Sequence, residues 1–269
     1  MRIFKKLMEF FFKKPEEKKS IESKKQSKKI KLGYCLEDWN YFNKKTSIDM
    51  NISKERSSHL LIIGGNGSGK SYALQVIFAR LVLAEPEGKF FFCDYKGDSA
   101  FRYLRELNGY RSYKSTLEAL EYVFDCMNKR FSGEDKSTKQ LTLILDEYQS
   151  FVASFSEKAK RDEVLKMISE IMTMGREKSI RLIICTQTAF AKSFPDGIRV
   201  NFDYIMILGA FYKTSYDMMF GEYDANIKNK KFNQGEGTVL VNGNELRFIK
   251  ISSVANMDRM KEICKSGLK

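Results

Sequence analysis

The residues with the clearest chemical pattern occupy positions 64–71, where the sequence reads GGNGSGKS. They follow an apolar run at 60–63 and precede a stretch with helical periodicity at 72–83. Glycines let successive backbone N–H groups surround phosphate oxygens, and a helix N-terminus adds partial positive charge. In this pattern Lys70 contacts the β and γ phosphates of ATP, and the Ser71 hydroxyl coordinates Mg2+. The predicted nucleotide-binding residues are Gly64, Gly65, Asn66, Gly67, Ser68, Gly69, Lys70 and Ser71.

A pair of acidic residues, Asp146 and Glu147, follows a second apolar run at 141–145. We expect this run to form a buried strand adjacent to the phosphate-loop strand. There Asp146 would hold Mg2+ through water, and Glu147 would orient and polarise the water that attacks ATP. A small-molecule kinase does not keep a glutamate beside its magnesium aspartate, so the pair favours ATP hydrolysis. No NKxD-like motif for reading guanine is present, which disfavours a GTPase.

A third polar residue, Gln187, ends the apolar run at 181–187. A side-chain amide at the end of a strand near the phosphate loop can sense whether the γ-phosphate is present. A glutamine at the end of a strand is more often an ordinary capped or solvated loop residue. The residues alone leave both interpretations open.

Apolar runs alternate with amphipathic stretches along most of the chain. Strands that are apolar on both faces and separated by helices indicate an α/β fold with a mostly parallel central sheet flanked by helices. The last two apolar runs are joined by Asn242, Gly243 and Asn244, which predicts a C-terminal β-hairpin. Short strands are expected within 30–52. The other predicted strands are 59–65, 89–94, 141–146, 181–187, 204–210 and 237–242, and the predicted helices are 70–84, 98–107, 115–130, 157–175 and 214–220.

The N-terminal segment is more basic than the rest of the chain. The formal charge of the protein is +13, and residues 1–31 contain twelve Lys/Arg against four Glu. Such a charge favours an anionic partner, either nucleic acid or a membrane surface. In a helix, residues 1–14 place Phe4, Leu7, Met8, Phe11 and Phe12 on one face, which predicts peripheral membrane contact. A helix that docks on another protein and a disordered tail are the alternatives. We therefore divide the chain into a basic amphipathic segment and linker, 1–31, and an ATPase domain, 32–269.

Cysteine and histidine content limits the other kinds of site. The chain has five scattered cysteines and one histidine. This pattern disfavours a zinc site and a disulfide framework, and it is typical of free thiols in a reducing cytoplasm. No apolar run approaches the roughly 20 residues that a membrane span requires. We therefore expect a cytoplasmic protein, or one held at the inner face of the cell membrane.

Five segments together resemble the FtsK/HerA superfamily, most closely the FtsK/SpoIIIE-like, TcpA-type coupling ATPases of conjugative elements. They read HLLIIGGNGSGKS, CDYKGD, LILDEYQSF, MGREKSIRLIICTQ and DGIRVNFDYIMILGAFYKTSYDMMFG, and the similarity covers roughly residues 55–245. The resemblance implies a RecA-like motor domain in a ring, commonly a homo-hexamer, with nucleotide at subunit interfaces and DNA in the central pore. It implies magnesium binding by Asp146, catalysis by Glu147 and γ-phosphate sensing by Gln187.

The resemblance also draws attention to four further residues. Asp94 and Lys96 match a DPK-like turn of the family, and a turn that only caps the following helix is an equally good interpretation. Arg176 and Arg199 occupy positions from which an arginine could act on the site of a neighbouring subunit. Positive charge supplied in this way stabilises the transition state of hydrolysis. The alternative for each arginine is a surface ion pair.

The sequence thus predicts an ATP-hydrolysing DNA translocase, the coupling or transfer motor of a conjugative or mobilisable element. Relaxase or secretion-channel proteins are the further partners that this function implies. A viral or prophage genome-packaging ATPase of the same superfamily is the alternative. A nucleotide-dependent scaffold that assembles on membranes without moving DNA is a third hypothesis. Whether the DNA is single- or double-stranded, the direction of movement and the ring size stay open.

Overall fold

The computed structural model describes residues 28–53, 57–190, 192–194, 198–209, 213–221, 227 and 230–269. The predicted membrane-contacting segment, 1–14, and most of the predicted linker lie outside the described residues. The first strand begins at Lys29, ahead of the boundary that we expected between residues 31 and 32. Within the described ranges, every helix is too short or too polar to span a bilayer.

The regular elements follow the predicted alternation of strands and helices. The strands are β1 (Lys29–Cys35), β2 (Ser47–Asn51), β3 (Leu60–Gly64), β4 (Lys89–Asp94), β5 (Tyr110–Ser112), β6 (Leu141–Asp146), β7 (Ile180–Thr186), β8 (Tyr204–Leu208), β9 (Glu236–Val241) and β10 (Glu245–Lys250). The α-helices are α1 (Leu36–Phe42), α2 (Lys70–Ala84), α3 (Ser115–Ser132), α4 (Tyr148–Ala153), α5 (Lys158–Met174), α6 (Lys213–Phe220) and α7 (Met257–Ser266).

Three short 3-10 helices complete the described elements: Ser99–Leu104, Gly175–Lys178 and Ile198–Asn201. The first of these corrects the predicted helix 98–107, which is shorter and more tightly wound than the pattern indicated. It begins where the Asp98 side chain accepts a hydrogen bond from the Ala100 N–H. Strand β5 and helices α1, α4 and α7 were not predicted, and α1 lies within 30–52, where we expected only short strands.

One mixed sheet joins the strands of the described chain in the order β2-β1-β10-β9-β8-β3-β7-β6-β4-β5. From β8 to β5 all neighbours are parallel. From β8 back to β2 all neighbours are antiparallel. The predicted α/β fold is therefore confirmed. The C-terminal hairpin is also present: β9 and β10 pair across a turn in which Asn242 and Gly243 have φ of 51° and 72°.

The sheet is covered on both faces, which explains the continuous apolar runs. In β3, Leu61 and Ile63 belong to one apolar core, and Leu60 and Ile62 belong to the other. Helices α3 and α5 close the first core, and helices α2 and α7 close the second. Because every residue of β3 is buried, the strand shows no alternation of polar and apolar residues.

His59 lies just before β3 and is fully buried. Its Nδ1 atom accepts a hydrogen bond from the Leu182 N–H at 3.0 Å, which ties β3 to β7. Burial, together with the nearby charges of Arg176 and Arg181, lowers the pKa of His59 to about 3. The imidazole is therefore neutral in the folded protein at any ordinary pH.

This shift predicts a specific dependence of stability on pH. Between the ordinary pKa of about 6.5 and the folded value, the unfolded chain binds a proton that the folded chain does not. The free energy of unfolding should therefore fall as the pH is lowered from about 6.5, by up to about 1.4 kcal/mol per pH unit from this residue. Urea unfolding from pH 7.5 to 4.5 measures the effect, and His59→Asn should show a shallower dependence than wild type. Identical slopes in the two proteins would show that His59 does not titrate on unfolding.

Candidate nucleotide site

The predicted site residues follow neighbouring parallel strands. The phosphate loop follows β3, Gln187 follows β7, Asp146 ends β6 with Glu147 next, and Asp94 ends β4. Because parallel strands point the same way, these ends share one edge of the sheet, where α/β folds place their ligands. One expectation is corrected. β7 lies between β3 and β6, so the strand of the acidic pair is not the direct neighbour of the phosphate-loop strand.

Two glycines give the phosphate loop its shape. Gly67 and Gly69 have φ of 76° and 89°, in the left-handed region that side-chain-bearing residues rarely adopt. Helix α2 begins directly afterwards, at Lys70. The N-terminus of a long helix and the curled backbone before it form the anion-binding arrangement that a phosphate chain requires.

A contact that the sequence did not predict fixes this loop to the start of β9. The Gly235 N–H donates a hydrogen bond to the Ser68 carbonyl at 2.8 Å. A Cβ atom at Gly69 would lie 2.9 Å from the Gly235 nitrogen, closer than real Cβ atoms approach. Gly67 and Gly69 therefore have different roles: both turn the chain, and Gly69 also leaves room for the backbone of Gly235.

Lys70 is buried and points to both acidic residues. Its Nζ atom lies 3.2 Å from Asp146 Oδ1 and 3.4 Å from Glu147 Oε1. Burial alone would lower the pKa of Lys70, but the negative charges around it outweigh burial and raise the pKa above the ordinary value. The ammonium is therefore charged, and it is placed between the phosphate loop and the carboxylates.

The Glu147 carboxylate has donors on both oxygens. Lys96 Nζ lies 2.6 Å from Oε2, and the Gln187 amide nitrogen lies 3.1 Å from Oε1. Burial alone would raise the pKa of Glu147, but the donors Lys96, Lys70 and Gln187 outweigh it and lower the pKa. Glu147 also has φ of 55°, an uncommon conformation for a residue with a long side chain. The backbone conformation and the donors together fix its carboxylate beside Lys70.

The oxygen atoms near Lys70 fit a magnesium ion. The Oδ2 atom of Asp146 is buried and lacks a hydrogen-bond partner among the described residues. The Ser71 hydroxyl has a long contact, 3.4 Å, to Asp98 Oδ2. Mg2+ takes one or two protein oxygens and completes its shell with water and phosphate oxygens, so these residues suit it. Asp98 is a polar neighbour of this position that the sequence did not single out, although it lies in the DYKGD turn.

Asp94 braces the turn that carries Lys96. It is fully buried; Oδ1 accepts a hydrogen bond from the Gly97 N–H at 2.8 Å, and Oδ2 accepts one from the Tyr110 hydroxyl at 2.9 Å. Burial raises the pKa of Asp94, and these hydrogen bonds oppose the change. Asp94 therefore stabilises the turn through its hydrogen bonds, and Lys96 on the same turn contacts Glu147 of the acidic pair.

Arg176 and Arg199 lie away from this edge in the same chain. Both precede strands, β7 and β8, and so lie at the opposite edge of the sheet. Arg176 pairs with Asp203 at 3.0 Å and donates to the Asn201 carbonyl at 2.6 Å. Arg199 is exposed and donates to the Met218 carbonyl at 2.8 Å. The structure does not bring either arginine to Lys70, and action on a neighbouring subunit stays a prediction for both.

Comparison with known proteins finds similarity to FtsK-domain proteins. The FtsK/SpoIIIE family model matches residues 17–134. The Ftsk domain-containing protein YdcQ of Bacillus subtilis is 27% identical over 207 residues, which are 69% of this chain and 42% of YdcQ. The chain thus spans less than half the length of this curated relative.

Solved structures share the fold at low sequence identity. The pCW3 conjugation coupling protein TcpA, in its monomer form with ATPγS, has a TM-score of 0.67 at 18% identity, over 90% of this chain and 71% of TcpA. The cytoplasmic domain of the Thermomonospora curvata type VII secretion ATPase EccC has a TM-score of 0.64 at 17% identity, over 90% and 30% of the two chains. B204, the DNA-packaging ATPase from Sulfolobus Turreted Icosahedral Virus, has a TM-score of 0.52 at 19% identity, over 74% and 100%.

A phosphate loop, an acidic pair and a parallel core that brings them to one edge define a P-loop ATPase. The fold is RecA-like, as it is in the solved neighbours. The family match over residues 17–134 and the similarity to YdcQ and TcpA support an FtsK-like P-loop ATPase.

Proposed function

We propose that this protein hydrolyses ATP to move DNA, as the coupling or transfer motor of a conjugative or mobilisable element. The observation that carries the hydrolytic part is the position of Glu147, whose carboxylate is held beside Lys70 at the edge where the phosphate loop opens. Similarity to a conjugation coupling protein and to an FtsK-domain protein supports the DNA part. The formal charge of +13 suits a polyanionic partner.

Each site residue has a role in this proposal. The backbone of residues 64–71 surrounds the phosphate chain, and Lys70 leaves the carboxylates to contact the β and γ phosphates. Glu147 orients the attacking water and accepts its proton, and Gln187 links the Glu147 carboxylate to the position of the γ-phosphate. Ser71 and Asp146 would hold the magnesium ion. When bound, that ion would neutralise charge on the phosphate oxygens.

The proposed assembly is a homo-hexameric ring around DNA, with nucleotide between subunits. Arg176 or Arg199 of a neighbouring subunit would then supply positive charge to the site. Relaxase or secretion-channel proteins are the proposed further partners, and residues 1–14 the proposed membrane contact. These parts of the proposal derive from the family resemblance and the basic N-terminal sequence.

Genome packaging is the second candidate function. B204 is a DNA-packaging ATPase, and the similarity covers all of that chain. The genes beside the coding sequence distinguish the two functions. A relaxase and secretion genes would favour the coupling motor, and capsid genes would favour the packaging motor.

ATP turnover with and without DNA tests the proposed function. We expect ATP turnover to rise when single-stranded or duplex DNA is added, because a DNA motor hydrolyses ATP faster when it is bound to DNA. DNA binding should depend little on sequence and should weaken steeply with salt, with a log–log slope of about −0.7 to −0.9 per phosphate contacted. Lys70→Ala serves as the control for contaminating ATPases. Turnover that neither form of DNA alters would favour the scaffold hypothesis instead.

A further inference from the structure

The two oxygens of the Glu147 carboxylate have separate donors. Oε1 lies 3.4 Å from Lys70 Nζ and 3.1 Å from the Gln187 amide nitrogen. Both of these residues belong to elements next to the expected position of the phosphates. Lys96 is 2.6 Å from Oε2 and reaches it from the turn after β4. Gln187 also lies 3.3 Å from Oε2, a longer contact. Lys96 is therefore the close donor to Oε2, and it belongs to neither the phosphate loop nor the sensor strand.

Hydrogen bonds hold the backbone of the turn that carries Lys96. The Gly97 N–H donates to Asp94 Oδ1 at 2.8 Å, and Arg105 donates to the Gly97 carbonyl at 2.6 Å. Gly97 itself has φ of 71°. The Lys96 side chain is half exposed, 50%, whereas that of Glu147 is only 11% exposed. The backbone of the turn is thus held by hydrogen bonds. From it the half-exposed Lys96 ammonium contacts the nearly buried Glu147 carboxylate.

Nucleotide binding would change these contacts unequally. The Lys70 ammonium would move from Glu147 to the phosphates. Oε1 would then lose one of its two donors. Lys96 forms its ion pair with Glu147 and makes no hydrogen bond or ion pair with the phosphate loop among the described residues, so in this proposal Oε2 keeps its ammonium partner when nucleotide binds. A short charge-assisted hydrogen bond to one carboxylate oxygen stabilises the negative charge of the whole group, so Glu147 accepts a proton from the attacking water less readily, even at Oε1.

We propose that Lys96 is a positioning residue that holds the Glu147 carboxylate through Oε2 in the resting protein, and that fast hydrolysis requires this contact to open. The inference rests on the proposed function, because it assumes that Glu147 acts on the attacking water. Binding of DNA would favour the open state. The DYKGD turn then restrains ATP hydrolysis in the absence of DNA.

Lys96→Met tests the inference, because methionine keeps the length of the side chain and removes its charge. Without DNA, turnover at saturating ATP should rise about 2- to 5-fold, the size expected for a half-exposed ion pair. With saturating DNA it should match wild type, so the stimulation by DNA falls by the same factor. Lys96→Arg should keep low turnover without DNA. Lys89→Met, at the other end of β4 with its ammonium on the Tyr122 hydroxyl, is the matched control and should leave both rates unchanged.

Affinity for a fluorescent, non-hydrolysable ATP analogue gives an independent measurement. Lys96→Met should bind the analogue within about threefold of wild type, because Lys96 contacts Glu147 and not the nucleotide. A larger loss of affinity would mean that Lys96 binds phosphate, and it would overturn the inference. Lower turnover of Lys96→Met without DNA would overturn it too, because Lys96 would then support hydrolysis. If DNA does not stimulate wild type, the translocase proposal fails, and the rate without DNA still tests Lys96.

Discussion

Glu147→Gln should lower kcat for ATP hydrolysis by about 10²–10⁴-fold, the usual contribution of a general base. Glutamine keeps the size of the side chain and can still accept a hydrogen bond from Lys96 or Lys70. It cannot accept a proton from water. Because Glu147 does not shape the phosphate loop, affinity for ATP should stay close to that of wild type. The variant should therefore bind ATP and turn it over very slowly.

Steady-state turnover and equilibrium binding of an ATP analogue measure the two halves of this prediction. Glu134→Gln is the control, because Glu134 is exposed and accepts a hydrogen bond from the Ser132 hydroxyl at 2.9 Å, away from the site. The control should match wild type in both measurements. A Glu147→Gln protein that hydrolyses ATP at the wild-type rate would remove Glu147 from the proposed mechanism. Lost affinity with unchanged kcat would instead place the residue in nucleotide binding.

Arg181→Met should lower the free energy of unfolding by about 3–5 kcal/mol. Arg181 is fully buried at the start of β7, and its guanidinium makes two contacts with Glu85, at 2.7 and 2.9 Å. The pair joins the end of helix α2 to the sheet. Methionine fills a similar volume but leaves the Glu85 carboxylate buried without a cation, and an unpaired buried charge is costly.

A double variant separates the cost of the unpaired charge from the loss of packing. Arg181→Met with Glu85→Leu removes both charges, and it should recover most of the stability that the single variant loses. Urea unfolding at neutral pH measures all three proteins. A loss below about 1 kcal/mol in the single variant would show that water reaches the pair. A double variant as unstable as the single one would show that Arg181 acts through packing.

The central part of the fold was predictable because its signals are local. A strand buried on both faces must be apolar throughout, so β3, β6 and β7 appear as continuous runs. The arrangement of β1 and β2 beside β10 was not predictable, because pairing between residues about 200 positions apart has no local signature. The short strand β5 gave no periodicity over its 3 residues.

The candidate site was predictable to a similar extent. The positions of Lys70, Glu147 and Gln187 at one edge follow from the rule that parallel strands end together. The same rule places Arg176 and Arg199 at the opposite edge, because each precedes a strand. The family motifs had suggested these arginines without indicating at which edge of the sheet they lie. The contacts of Gly235 with the phosphate loop and of Lys96 with Glu147 depend on distances between separate loops. No spacing in the sequence encodes them.

The most direct test of the central claim is whether ATP hydrolysis moves this protein along DNA. Biotinylated single-stranded and duplex DNA, each carrying streptavidin, should lose the streptavidin when the protein and ATP are added with free biotin as a trap. We expect displacement on at least one of the two substrates, and none with a non-hydrolysable analogue or with Glu147→Gln. If wild-type protein binds both DNAs and hydrolyses ATP yet displaces streptavidin from neither, the account of a DNA motor is wrong.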